Sequence, residues 1–439
     1  MRRKVLAIIV SLFLCAGNLF AQELVTLEEV IALVLKENYD VQLMQNSLLA
    51  AKTDDKYSVG VLLPQINATA ATAWNSNHQE FNFQDETRNV SGDAKSNNAN
   101  ASLQAVWTLF DGTKMFATRE RLDQIAEQGE LYVKDQMVNS IAAAITNYYD
   151  IVRQKQQLLA MRELMSVTEE RVKLADRKLE VGIGAKPELL QAKVDLNAQR
   201  TLAIQQETLI AQLKDRLSGL LGLKLPAVYD VADTIVLNLN ITEQDIANDI
   251  ENRNFQLLAT EKNIGIADLI LHENKATRSP VINFNAAYNY SKTNNTQLIN
   301  PFSSLESQVD GINYGFSLAF PILNGFNITR SVQQARINVR RQQLIYEQQK
   351  QGVTVAVRNA YANYDNAKKI LLIEEENILL AKENVMIALE SFRRGIATFI
   401  ELRTAQQSLA DGYNRLIASR YVTKIAETEL LRLNGTLLR

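Results

Sequence analysis

Cysteine is nearly missing from this chain of 439 residues; the only one is Cys15. It lies in a segment that opens on Arg2, Arg3 and Lys4, runs apolar through the twelve residues Val5–Ala16, breaks at Gly17-Asn18 and places the small Ala21 before Gln22. That layout is a secretory signal, assigned here to residues 1–21. The apolar run is shorter than the ~20 residues that a membrane-spanning helix needs. Leu14, before Cys15, disfavours a lipidation site, which wants a small residue there. The mature chain then has no thiol, which excludes disulfides, thiolate metal sites and cysteine nucleophiles together. Histidine is almost as scarce: His78 and His272 stand far apart, with no ligand spacing around either, and both read as incidental. No nucleophile–base pair or metal motif is visible, so no enzyme activity, cofactor or metal site is expected. A basic excess is absent too. Without Arg2, Arg3 and Lys4 the chain has 44 basic residues against 49 acidic ones, a balance that offers nucleic acid nothing.

Six prolines and seventeen glycines are few for this length, which favours long uninterrupted helices. What the chain does have is an internal repeat. Leu63-Pro64-Gln65-Ile66-Asn67 matches Ser279-Pro280-Val281-Ile282-Asn283 at an offset of 216, as Glu37-Asn38-Tyr39 matches Arg253-Asn254-Phe255. Trp107–Gly112 matches Phe320–Gly325 at 213, and the same offset joins Val181-Gly182-Ile183 to Arg394-Gly395-Ile396, Glu188-Leu189 to Glu401-Leu402, and Leu221-Gly222 to Asn434-Gly435. A unit of ~200 residues is therefore duplicated, far longer than solenoid repeats of ~20–50. Residues 22–222 form the first copy, 223–240 a linker without helical period, and 241–439 the second.

Within each copy the hydrophobic period switches from helix to strand and back. Ile66, Ala68, Ala70, Thr72 and Trp74 alternate with polar neighbours, as do Ala99, Ala101, Leu103, Ala105, Trp107 and Leu109. In the second copy Ile282, Phe284, Ala286, Tyr288 and Tyr290 share one side, and Ile312, Tyr314, Phe316, Leu318, Phe320 and Ile322 another. Such alternation marks strands with one apolar and one polar face. Two β-hairpins are expected, about 64–110 and 280–322, with long polar loops at 76–98 and 293–310. Strand lengths of about ten residues suit a tilted bilayer crossing. Trp74, Trp107, Tyr290, Tyr314 and Phe320 near strand ends suit an interfacial girdle in the outer-membrane lipid. The opposite faces are polar without charge, which fits a wet lumen. Open sheet edges are not tolerated in lipid, and four strands are too few for a closed membrane barrel of at least ~8. Any barrel must therefore be shared between chains.

Residues 113–180 and 327–394 contain no proline, and Val138, Ile141, Ile145, Tyr148 and Val152 recur at spacings of three and four. These are the long helices; return helices are expected at 188–221 and 400–433. Between them lie the turns Val181–Pro187 and Gly395–Thr398, with Glu188 and Glu401 in the first turns that follow. Either glutamate could cap its helix or belong to an acidic ring at a tunnel mouth. Periodicity alone leaves a coiled-coil scaffold open as well.

The duplicated plan, the segments Trp107–Gly112 and Phe320–Gly325, and the turns Gly182–Glu188 and Gly395–Glu401 together resemble the TolC-like outer membrane efflux protein family. The resemblance covers the mature chain. It implies an α+β membrane protein and a homotrimer, with a 12-stranded β-barrel in the outer membrane above a periplasmic tunnel of twelve helices. It also implies an exit duct for efflux or type I secretion, fed by an inner-membrane RND, ABC or MFS pump through a periplasmic adaptor (membrane fusion) protein. The tips carrying Gly182, Gly184, Lys186 and Pro187, and Gly395, Ile396 and Thr398, would meet that adaptor. Glu188 and Glu401 fall at entrance positions that are acidic in the best-known member. Phe392 stands where that member has a gate tyrosine, Ala397 where it has a gate arginine, and Thr404 where it has a second lumenal aspartate. Its gating bonds and double acidic ring are therefore not carried over. The rival from another class is a non-conducting structural or adhesive envelope protein built from the same coiled coils.

Overall fold

The computed structural model describes residues 23–226, 229–299 and 302–438, so the signal segment lies outside the described residues. The first half contains β1 (Glu23–Val25), α1 (Leu27–Glu37), α2 (Tyr39–Tyr57), β2 (Gln65–Phe81), β3 (Val90–Phe110), α3 (Lys114–Glu180) and α4 (Lys186–Leu220). Then come β4 (Tyr229–Val231), α5 (Glu243–Ala247), α6 (Ile250–Arg253), α7 (Phe255–Ala276), β5 (Val281–Gln297), β6 (Glu306–Ala319), α8 (Asn327–Arg393) and α9 (Phe399–Leu433). The chain divides into two compact units. One gathers Leu48–Gly129 and Thr260–Tyr346; the other holds the rest. No described helix is long and apolar enough to cross a membrane.

The first unit is organised by one antiparallel sheet of order β2-β3-β5-β6. Its strands have 17, 21, 17 and 14 residues, longer than the ten or so expected. Among the described residues, the Asn/Ser-rich segments expected as loops are mostly strand: β2 and β3 are separated by 82–89, and β5 runs to Gln297 while β6 begins at Glu306. Asn and Ser are poor strand formers alone, but here they satisfy one another across the sheet. Ser102 Oγ donates to Asn289 Oδ1 at 2.8 Å, Ser291 Oγ to Asn100 Oδ1 at 2.7 Å, and Asn285 Nδ2 to Ser317 Oγ at 2.9 Å.

Register sorts the two faces cleanly. Trp107, Phe284 and Phe316 align in one row, Ala68, Leu103, Tyr288 and Ile312 in another, and Ile66, Ala105, Ala286 and Tyr314 between them. This apolar face is open to its surroundings: Tyr314, Phe316 and Leu318 are 78%, 74% and 68% exposed. From Ile312 of β6 to Phe320, the residue after its end, the band runs ~27 Å, against the ~25 Å apolar band of outer-membrane barrels. It ends at the row of Tyr290 and Asp310; one row farther, Lys292 pairs with Glu306 at 2.9 Å. Trp74 lies beyond that boundary, in a row with Asn97, Asn294 and Glu306, rather than at the edge of the band. Trp107 sits at the helix-side end, its indole N–H donating to the Leu62 carbonyl at 2.9 Å. The other face carries Gln65, Asn67, Thr69, Gln104, Ser102, Asn289, Asn313 and their neighbours, without an ionised side chain on any strand. β2 and β6 are each paired on one side only.

Strands pass into helices through the same backbone device in both copies. Gly112 and Thr113 have φ of 75° and 73°, Gly325 and Phe326 of 63° and 62°. Two successive left-handed residues turn the chain, at a cost of ~1–3 kcal/mol for each residue that is not glycine. Gly112 is also sterically required, since a Cβ there would lie 2.5 Å from the Ala276 carbonyl oxygen. Below the sheet, Leu271 of α7 packs with Val332 and Ala335 of α8, and Arg121 pairs with Glu273 at 2.8 Å.

The second unit is helical. Val138, Ile141, Ile145, Tyr148 and Val152 are all buried, the last four against Val30, Val34, Leu213 and Leu217. The parallel pair β1–β4 straps this cluster; three residues per strand are too few to show a period in sequence. Lys155 holds the strap through Asp230 at 2.7 Å and Asp233 at 2.8 Å. The repeat landmarks have a physical basis in a paired asparagine clamp. Asn38 Oδ1 accepts from the Asp40 and Val41 amides while its Nδ2 donates to the Leu220 carbonyl at 3.0 Å. Asn254 repeats this, accepting from the Leu257 amide at 2.9 Å and donating to the Leu433 carbonyl at 2.9 Å. One amide thus caps a helix start and closes a helix end. Asn254→Ala removes the cap and orphans a buried carbonyl, so thermal or denaturant unfolding in detergent should show a loss of about 2 kcal/mol. Ser47→Ala, which removes only an exposed bond within α2, serves as the unaffected control.

Candidate functional site at the helical tips

The α3–α4 and α8–α9 turns reverse the chain with the same hydrogen bonds but different side chains. Gly182 has φ 79°, and the Ile183 and Gly184 amides both donate to the Lys178 carbonyl, at 2.9 and 2.8 Å. Gly395 has φ 74°, and the Ile396 and Ala397 amides donate to the Ser391 carbonyl, at 2.9 and 3.2 Å. These left-handed positions need glycine. Gly184 lets its backbone approach closely, since a Cβ would fall 2.8 Å from the Leu179 nitrogen. Ala397 is its repeat counterpart, and the longer bond at Ala397 makes room for its methyl group.

The two return helices then start differently. Thr398 and Glu401 form a complete capping box: the Glu401 amide donates to Thr398 Oγ1 at 3.3 Å, and the Thr398 amide donates to Glu401 Oε2 at 2.7 Å. The Thr398 amide and, less strongly, its hydroxyl hold the Glu401 carboxyl below the ordinary carboxylate value. Ala185 gives α4 no side-chain cap; Pro187 occupies its first turn, and Glu188 follows there, half-buried. Glu401 is therefore a structural cap as well as a surface charge, whereas Glu188 carries no such bond. Lys186 is exposed, as are Val181, Ile183, Ile396 and Ile400, which put apolar side chains on both tips.

Ile396, Ala397, Ile400, Glu401 and Thr404 come together along an open groove of about 490 Å³, completed by Asn384, Ile387 and Ser391 of α8. Thr404 spends its hydroxyl on the Ile400 carbonyl, at 3.0 Å. Phe392 is outside this groove and only 2% exposed. Lys178 of α3 stands 3.8 Å from the Phe392 ring centroid and donates to the Phe392 carbonyl at 3.2 Å, pinning the end of one hairpin to the other.

Sequence reasoning missed a buried polar cluster that joins the hairpins. Arg171, 1% exposed on α3, donates to Asp195 Oδ2 of α4 at 2.6 Å and to Gln406 Oε1 of α9 at 2.8 Å. Arg403 of α9 reaches the same Asp195 oxygen at 3.2 Å, and Gln191 donates to its other oxygen at 2.9 Å. Burial pushes the Arg171 guanidinium below its ordinary value, and the bond to Asp195 opposes that shift. One carboxylate thus serves two guanidiniums from different hairpins. These residues are separated by 24 and 208 positions, so no sequence period links them. Among the described residues no group of histidine, cysteine and carboxylate side chains is arranged to hold a metal.

The model for "Outer membrane efflux protein" matches residues 30–223 and 246–436. The chain belongs to the outer membrane efflux protein family. The two matched stretches correspond to the two copies. Among curated relatives, Protein CyaE of Bordetella pertussis (strain Tohama I) is 22% identical over 274 residues, covering 61% of this chain and 56% of CyaE. The match thus spans little more than half of that relative. The fold of this family member is shared with the CmeC outer membrane channel of Campylobacter jejuni, at TM-score 0.75, 15% identity, and 93% and 85% coverage of the two chains. It is also shared with the outer membrane protein VceC of Vibrio cholerae, at TM-score 0.73, 12% identity, and 93% and 96% coverage.

The capping box yields a prediction with a definite sign. The Glu401 carboxyl lies below its ordinary value, so its contribution is present above that ordinary value and is lost as pH falls through the depressed one. Glu401→Ala at neutral pH, and acidification of the wild type to about pH 3, should both speed amide exchange at 399–403 after correction for intrinsic rates. Equal protection in all three samples would show that the box does not hold the start of α9.

Proposed function

We propose that this family member is a passive exit duct of the outer membrane, conducting cargo from an inner-membrane pump and periplasmic adaptor to the exterior. The sheet carries this reading: its exposed apolar face matches lipid, its other face is polar without charge, and both edges are open. Unpaired edge groups in hydrocarbon cost several kcal/mol each, so β2 and β6 must find partners in other copies. Two copies supply eight strands and three supply twelve; the family resemblance favours three. The polar face then lines the lumen. The adaptor would meet the tips at Gly182–Pro187 and Gly395–Thr398, where Ile183 and Ile396 offer apolar anchors 77% exposed each. An RND, ABC or MFS pump would supply the energy.

Gating would part the two hairpins of each chain near these tips. Asp195 is the natural latch, because losing it leaves Arg171 buried and unpaired and frees Arg403. Glu188 and Glu401 place six carboxylates around a trimeric entrance and favour cations there, screened beyond ~8 Å at physiological salt.

Light scattering corrected for bound detergent should give three copies per particle from the outer-membrane fraction. In planar bilayers, Asp195→Asn should raise conductance several-fold, and Glu188→Gln with Glu401→Gln should lower the preference for cations. A soluble monomer, or a membrane trimer that passes no current, would overturn the duct reading in favour of a coiled-coil scaffold.

A further inference from the structure

The neutral lumen-side face of the sheet changes character at its outer end. Asn67, Thr69, Asn75 and Asn77 of β2 are followed on that face by Phe81, opposite Val90. The turn 82–89 adds Phe83, stacked on Phe81 with centroids 6.5 Å apart and planes 22° apart. Leu298, Ile299 and Phe302 lie by the same face, and together these side chains line an open cavity of about 600 Å³. Arg88 lines it, its guanidinium carbon 5.4 Å from the Phe83 ring centroid. No carboxylate among the described residues forms an ion pair with Arg88. Lys95, at the register shift of β3 opposite Gln297, lines the cavity as a second cation.

We propose that this cavity is a binding site for organic anions with a flat apolar ring system. Phe81 and Phe83 supply ring faces, and each stacked ring contributes modestly beyond its buried area. Arg88 supplies the planar donor fork that recognises sulfonate or carboxylate. Its place over Phe83 lets one ligand meet ring and charge together. Asn77, Gln79 and Ser96 line the cavity floor and offer neutral hydrogen bonds without an opposing negative charge. The volume suits a ligand of two or three fused rings, within the ~300–1,000 Å³ of small-molecule pockets. The inference rests on the duct reading only for the site's place on the exit path; binding itself does not require conduction.

Isothermal titration calorimetry of the full protein in neutral detergent, with 2-naphthalenesulfonate as probe, tests the site. Saturable binding at one site per chain is expected, with methanesulfonate and uncharged naphthalene each at least tenfold weaker. Arg88→Gln and Phe83→Ala should each weaken binding about tenfold, and Phe83→Tyr should retain it. Both positions lie in an exposed turn, and unchanged sheet content by circular dichroism reports that the variants fold. Absence of saturable binding, or equal affinity in wild type, Arg88→Gln and Phe83→Ala, overturns the proposal. Conductance of the wild type decides the duct reading separately, since a conducting protein that fails to bind sinks only the site.

Discussion

Backbone hydrogen bonding in hydrocarbon governs this molecule. The sheet contributes four strands, and its outer strands leave rows of amides and carbonyls without partners. Nothing in lipid can satisfy them, so the chain cannot be the unit that crosses the bilayer. Other features follow from that deficit. The duplication is the economical way to supply two hairpins in one polypeptide. The long helices α3 and α8 follow the second strand of each hairpin in its repeat. Their lengths are equal at 67 residues, which keeps the two repeats in step.

Much of this was legible in the sequence, for reasons that differ by element. Long helices announce themselves through the absence of proline, with Pro187 admitted only where α4 begins and its missing N–H costs nothing. The repeat landmarks survive because they carry geometry. Gly112 and Gly325 adopt left-handed backbone, as do Gly182 and Gly395, while Asn38 and Asn254 serve two helices each. Strand faces were visible because alternation has a fixed period of two.

What sequence hid is equally instructive. The hairpins looked short because Asn and Ser signal turns when read singly, yet pairs such as Ser291 with Asn100 satisfy each other once the strands align. The strap β1–β4 is too short to have a period. At the tips, Phe392 reads as a gate side chain by position but is buried against Lys178, and Glu401 is committed to Thr398. The Arg171–Asp195–Arg403 cluster joins positions from three helices, and only folding brings them together.

The uncharged wall formed by Asn67, Thr69, Ser102, Gln104, Asn289 and their neighbours also bears on traffic. A fixed charge inside a narrow passage detains every counter-ion that reaches it, and throughput then depends on how quickly each one is released. Amides and hydroxyls already bonded to one another hold passing solutes only briefly, whatever their sign. Cargo of either polarity would cross this stretch at close to its rate of free diffusion, leaving choice and rate to the ends of the passage.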